Sequence, residues 1–324
     1  MKKFLCLLLS IVVLGWGGFA QAQQAKKMPR IGIVGSGEAR RELEAFRQGL
    51  RDLGYIEGKN ILVEYRFAGG KRGQYPGLVT ELLQLKVDVL VAENFPAVRA
   101  AKEATKTIPV VMVLAVDPVE TGIVDSLARP GGNITGLSRL MRELSGKRLE
   151  LLKDVVPKVS RVGLLWEPEA QGPAIAFKEY EVAARALKIQ LRSLEVRGPT
   201  PDLEGAFQAA VKGRATALIT IRSNATLSYL QRIADLAVKN RLASMHEAIE
   251  FVEAGGLSFY GANDADMFRR AAVYVDKILK GTKPQDLPVE QPMKFEFVIN
   301  LKTANQIGLT IPQWTLMKAD KVIR

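Results

Sequence analysis

The chain is expected to fold as α/β, in two doubly wound lobes with parallel sheets. Three observations predict this. Short runs of Val, Ile, Leu and Met alternate with amphipathic segments from residue 30 onward, and strands covered on both faces of a parallel sheet read as such runs. A second strand–helix series of the same order begins near residue 138, which argues for two parallel sheets. The length of 324 residues suits two domains of roughly 100–200 residues each.

In the first series the strands are expected at Arg30–Gly35, Asn60–Phe67, Asp88–Ala92 and Pro109–Ala115. Between the first two, Leu43, Phe46, Leu50 and Leu53 recur at helical spacing, and Gly54 is placed to cap that helix. Tyr75–Lys86 and Pro96–Thr105 read as the next two helices. The stretch Ala128–Asn133 (ARPGGN) is too rich in turn formers for helix or strand. Ile134–Ser138 is a short strand, followed by helices at Leu144–Val156, Pro173–Leu187, Leu203–Val211 and Leu227–Asn240. Between these fall strands at Arg161–Trp166, Ile189–Val196 and Ala217–Ile221. The tail repeats neither series: a long helix, Ala265–Lys280, two Pro-containing turns and a strand, Phe295–Asn300. It is expected to cross back between the halves and make a multi-strand hinge.

Composition narrows the class. Hydrophobic residues at 48% and charged residues at 25% are those of a globular protein, which excludes a disordered chain. The 28 glycines show no three-residue period, which excludes collagen. Lys2 and Lys3, an apolar run from Phe4 to Ala20 and Ala20-Gln21-Ala22 form a signal peptide, residues 1–22, with cleavage expected after Ala22. A retained anchor is the alternative. Cys6, the one cysteine, lies inside this leader, so the exported chain has neither disulfide nor thiol nucleophile. The net charge of +12 suits acidic ligands or an anionic surface, or simply solubility. Its lysines are scattered, and export argues against nucleic acid as a partner.

Open sheets of this kind take ligands at the carboxyl ends of their strands, so the candidates are the residues that follow them. Ser36 lies in Gly35-Ser36-Gly37, where the glycines allow a tight turn. With Gly32 the spacing is GxxGxG, not the dinucleotide fingerprint, and no nucleotide cofactor is expected. Asn94 and Phe95 precede Pro96 at a helix start; Asn94 is a candidate for capping and for ligand contact alike. Asp117, before Pro118, either accepts from a ligand ammonium or caps the helix that Pro118 opens. Trp166 is a core aromatic or a stacking platform. Glu167 follows it, and Arg222, Ser223 and Asn224 follow another strand. At both places helix N-termini are available to a carboxylate, and Arg222 either pairs it or stands on a solvated rim. His246 is the one histidine, and His246-Glu247 is too little for a metal site. No GxSxG elbow is present. No catalytic residue, metal or cofactor is expected, although acid-only hydrolysis stays open.

Several stretches together resemble a known family. They include FRQGLRDLGY (Phe46–Tyr55), Asp117-Pro118-Val119, SLARPGGNITG (Ser126–Gly136), LSGKRLELL (Leu144–Leu152), FVEAGG (Phe251–Gly256), Tyr260-Gly261 and YVDKILKG (Tyr274–Gly281). The chain resembles the ABC transporter substrate-binding proteins whose better-known members bind tryptophan or tyrosine. The resemblance implies the type I periplasmic-binding architecture: two Rossmann-like lobes joined by a three-crossing hinge. The lobes would be residues 28–138 plus about 262–286, and 139–261 plus about 287–324. It also implies a periplasmic monomer that captures a small molecule between its lobes and delivers it to a membrane permease. An exported sensor and a carboxylate-dependent enzyme are the alternatives. Asp117 and Tyr260 fall in the family's cleft loops. Glu93, Glu167 and Arg222 depart from the residues usual there, and such added charge suits a polar ligand.

Overall fold

In the computed structural model, which describes residues 27–324 apart from 38, 39, 70, 140 and 199, two separate sheets each carry helices on both faces. The expected leader, its cleavage site and Cys6 lie outside the described residues. The first sheet contains β1 (Arg30–Gly35), β2 (Leu62–Phe67), β3 (Val89–Ala92), β4 (Val110–Val116) and β5 (Ile134–Arg139), in the order β2-β1-β3-β4-β5. All of its pairings are parallel. Helix α1 (Arg40–Asp52) covers one face, and α2 (Tyr75–Gln84) and α3 (Phe95–Ala104) cover the other.

The alternation of β1 shows why a continuous apolar run was needed. Ile31 and Ile33 pack with Leu43, Phe46 and Leu50 of α1, whereas Val34 packs with Val79 and Leu82 of α2 and with Ala97 and Val98 of α3. Successive side chains point to opposite faces, so neither face tolerates a polar position.

After β5 the chain leaves for the second sheet. There α4 (Met141–Val155), β6 (Arg161–Trp166), α5 (Gln171–Leu187), β7 (Gln190–Glu195), α6 (Leu203–Lys212) and β8 (Ala217–Thr220) follow in turn. The single helix expected over Leu227–Asn240 is two: α7 (Asn224–Ser228) and α8 (Leu230–Lys239). Tyr229, at φ −116° and ψ 20°, breaks the helical path between them. Next come β9 (Ala243–His246), α9 (Glu250–Glu253) and β10 (Ser258–Ala262), two strands the sequence reading did not identify.

The tail makes the remaining crossings. α10 (Asp264–Leu279) returns to the first lobe and lies against α1. At Gly49 of α1 a side chain would meet the backbone oxygen of Arg269 at 2.7 Å, so these helices approach almost backbone to backbone. The chain stays with the first sheet through Glu290, whose N–H donates to Gly136 and whose carbonyl accepts from Ser138. It then enters the second sheet as β11 (Phe295–Asn300), antiparallel to β10. Short helices α11 (Leu301–Gln306) and α12 (Gln313–Leu316) lead to a last edge strand, β12 (Lys321–Ile323). The second sheet has the order β12-β11-β10-β9-β8-β6-β7. Three crossings therefore join the lobes, near residue 140, between β10 and α10, and between Glu290 and β11.

Candidate functional site

The carboxyl ends of both sheets face a shared cavity of about 310 Å³. The first lobe contributes Ser36 after β1 and Glu93, Asn94, Phe95 and Pro96 after β3. The second contributes Ala170–Pro173 at the start of α5 and Arg222, Ser223 and Asn224 after β8. Arg139, at the end of β5, and Glu247, after β9, complete the polar wall. A neighbouring cavity of about 400 Å³ shares Ser36, Glu93 and Arg222 and reaches Glu250.

Each wall position has a local cause. Asn94 is the N-cap of α3: its Oδ1 accepts from the Ala97 N–H at 3.1 Å, while its Nδ2 donates to the Tyr75 hydroxyl at 2.8 Å. Ser223 caps α7 in a reciprocal box, its Oγ accepting from the Thr226 N–H and the Thr226 Oγ1 accepting from the Ser223 N–H. The start of α5 carries no side-chain cap, so its first N–H groups are left to solvent or a ligand. The Asn224 Nδ2 is buried and has no acceptor. A buried amide donor without an acceptor costs about 1–3 kcal/mol, a penalty that a ligand acceptor would remove.

Glu93 has an unusual setting. It is only 3% exposed, its Oε2 accepts from the Ser36 N–H at 3.1 Å and its Oε1 accepts from the Ser36 hydroxyl at 3.0 Å. Burial pushes its carboxyl up to about 7, against the Ser36 hydrogen bonds and the Arg222 charge, which pull it down. Gly35 makes the arrangement possible, because a Cβ there would sit 1.7 Å from the Glu93 Oε2.

Behind the wall lies a buried ionic cluster. Arg148 of α4 is 2% exposed and donates through Nη1 to the Glu247 Oε1 at 2.9 Å and through Nε to the Tyr260 carbonyl at 2.7 Å. The Tyr180 hydroxyl donates to the same Glu247 oxygen at 2.8 Å. The other Glu247 oxygen, Oε2, accepts from the Arg222 N–H at 3.0 Å. One carboxylate thus ties the core of the second lobe to the cavity loop. Asp264, at the start of α10, accepts from both Arg139 and Arg222, the latter at 2.7 Å. Because α10 belongs to the first lobe and Arg222 to the second, this pair spans the cleft.

Of the sequence candidates, Ser36, Asn94, Phe95, Arg222, Ser223 and Asn224 come together at the cavity. Four others do not line it. Asp117 stands at φ 29°, its Oδ1 accepting from the Glu120 N–H, so its side chain holds its own turn. Glu167 is buried two residues before the part of its loop that reaches the cavity. His246 is fully buried and stacks on Phe251 with ring centroids 4.7 Å apart; burial lowers its imidazole to about 3. Tyr260 offers its carbonyl to Arg148 and packs its ring near Phe295 and Phe297. Trp166 stacks on Phe177 at 4.2 Å and donates to the Ser193 hydroxyl. Arg222 reaches the wall with its guanidinium already committed to Asp264 and, at 3.9 Å, facing Glu250. The sequence reading missed Arg139 and Arg148 as members of the site.

The family model described as ABC transporter substrate binding protein matches residues 33–323. The chain belongs to this family. A curated relative, a tyrosine-binding protein of Clostridioides difficile, is 25% identical over 303 residues, covering 92% of this chain and 87% of its own length. Among solved structures, a conserved domain protein from Vibrio cholerae superposes with a TM-score of 0.85 at 28% identity, over 91% of this chain and 100% of that one. An ABC domain in complex with L-Trp from Streptococcus pneumonia superposes at 0.84 with 23% identity, over 91% and 99%. This substrate-binding protein has the type I periplasmic-binding fold that the resemblance implied, and its two sheets are the two lobes that the duplicated pattern predicted.

Proposed function

We propose that this substrate-binding protein works outside the cytoplasm as a monomer. It captures a small polar molecule of amino-acid size in the interlobe cavity and delivers it, unchanged, to an ABC transporter permease. The observation that carries the reading is the cavity itself. Both lobes build its wall, the uncapped start of α5 and the acceptor-less Asn224 amide offer donors to an anionic group, and Phe95, Pro96 and Pro173 give it an apolar side. Such a site gains most when both walls touch the ligand, so binding shifts the population toward the closed arrangement. The names of the relatives, a tyrosine-binding protein and a domain holding L-Trp, support an amino acid as the first class to try.

Native mass spectrometry of gently purified protein tests this directly. A stoichiometric adduct of a few hundred daltons, recovered chemically intact, is the expected result. Turnover of the released molecule would replace transport binding with catalysis. Asn224→Ala is expected to weaken binding of the recovered ligand by about 1.5–3 kcal/mol in calorimetry, the scale of one hydrogen bond to a charged group.

A further inference from the structure

Every charged residue of the cavity wall but one has an opposite charge as partner. Arg139 and Arg222 share Asp264, Glu247 has Arg148, Arg99 has Glu103, and Glu169 has Arg197. Glu93 is the exception among the described wall residues: both its oxygens accept only from Ser36, a neutral residue. An ionised carboxylate offers about four lone-pair positions, and Ser36 occupies two of Glu93's. A carboxyl at 3% exposure without a cation is costly to ionise. The backbone nevertheless makes room for it, since Gly35 leaves no side chain where its oxygen lies.

We propose that Glu93 is the residue that sets ligand class: it receives a cationic nitrogen, an ammonium or an amidinium, carried by the molecule bound in the cavity. This deepens the transport-binding reading and rests on it. The cation would supply what the wall lacks, while the anionic end of an amino acid would face the donors across the cavity at α5 and Asn224. The state of the empty site fits. Burial pushes the Glu93 carboxyl up to about 7, so it keeps part of its proton near neutral pH, with Arg222 from the β8–α7 loop favouring the charge and Glu42 of α1 opposing it. Of the other charges on this wall, Arg139 shares Asp264 with Arg222, while Glu247, Arg99 and Glu169 pair with Arg148, Glu103 and Arg197. A docked cation then drives the remaining proton off, so binding and proton release are coupled.

Calorimetry at pH 7 in buffers of different ionisation enthalpy tests the assignment, on wild type and on Glu93→Gln. Gln mimics the protonated acid: its oxygen accepts from the Ser36 N–H and its amide donates to the Ser36 hydroxyl, so the fold is kept. Equal melting temperatures of the two proteins at pH 5 check that. The probes are L-tyrosine, tyramine, which keeps the nitrogen and lacks the carboxylate, and 3-(4-hydroxyphenyl)propanoate, which does the reverse. L-arginine, putrescine, ribose and succinate extend the set.

Every probe that binds is expected to carry a cationic nitrogen and to bind Glu93→Gln at least roughly ten-fold more weakly. Wild type should release a fraction of a proton per ligand at pH 7, falling away at higher pH, and the variant none. Binding of tyramine would place the nitrogen alone as sufficient; binding of L-tyrosine only would assign the α-ammonium of an amino acid. Tight binding of ribose, succinate or the deaminated acid would overturn the role of Glu93 and leave transport binding intact. So would an unchanged affinity in the variant. Absence of any bound molecule, in this set and in native mass spectrometry, would remove the transport-binding reading and this assignment with it.

Discussion

Glu93 and His246 are both buried titratable groups, yet they act on stability with opposite sign. Glu93 holds its proton in the folded chain up to about 7, above the ordinary value of 4.5. Between those values the native state binds more protons, so stability falls as pH rises through that window. Glu93→Gln is therefore expected to stabilise the protein at pH 8 by about 2–3 kcal/mol and to change little at pH 4.5. Urea denaturation at the two pH values reads this out, and an equal gain at both would contradict it. His246 stays neutral down to about 3 against an ordinary 6.5, so its contribution is lost as pH falls between the two. Burial beside Phe251 is the cause, since it takes the imidazolium out of water, and neither ring nitrogen has a hydrogen-bond partner that would hold the charge. Arg148 belongs to a third kind. Replacing it by Met leaves Glu247 charged and enclosed, at a cost of about 3–5 kcal/mol, measurable in the same denaturation experiment. Strand-end position alone brought six of the ten sequence candidates to the cavity. It could not reveal Arg148, which sits within an ordinary amphipathic helix and becomes meaningful only beside an acid 99 residues further on. Nor could it show that His246 is buried against Phe251, or that the Asp117 side chain is used by its own turn at the Glu120 N–H.

Helix ends and helix contacts dominate at the next scale. Asn94 serves α3 with its oxygen and Tyr75 with its nitrogen. Asn94→Ala is thus expected to lose about 1 kcal/mol of stability, the usual worth of an N-cap. Should thermal unfolding show no loss, the capping role would be spare and ligand contact its main purpose. The α1–α10 interface is tighter. Gly49→Val forces a branched side chain against the Arg269 carbonyl and Ala272, and overpacking of this kind costs about 1–3 kcal/mol. Three strands of the first sheet, β1, β3 and β4, were legible because each reads as an apolar run suited to burial on both faces. β9 and β10 were not. Ala243–His246 has only four residues, and Ser258–Ala262 carries a serine, a tyrosine and a glycine, so neither presents an apolar run. Their strand character comes from neighbours: β8 fixes one, and β11 closes the other from the antiparallel side.

Across the whole molecule, the Asp264 bridge decides how the lobes rest. With its carboxylate between Arg139 and Arg222, the cleft is spanned by an ion pair that does not need a ligand. Removing that charge leaves two guanidinium groups facing each other at side-chain exposures of 11% and 18%. Asp264→Asn is expected to widen the ligand-free protein in X-ray scattering and to raise the apparent Kd about ten-fold, as the binding-competent fraction falls. Superimposable curves for variant and wild type would contradict the bridge. The exposed Arg41–Glu253 pair between α1 and α9 adds little, because ions in open solvent are worth about 0–1 kcal/mol. The duplication of the strand–helix order announced two lobes from sequence. The bridge that joins them was hidden, because Arg222 and Arg139 lie 42 and 125 residues before Asp264 along the chain. Glu247, finally, grips the Arg222 backbone with one oxygen while the other is held by Arg148 and Tyr180 deep in the second lobe. The Arg222 amide should consequently exchange with deuterium only when the second lobe opens, making one backbone signal at the mouth of the cleft a reporter of that lobe's unfolding.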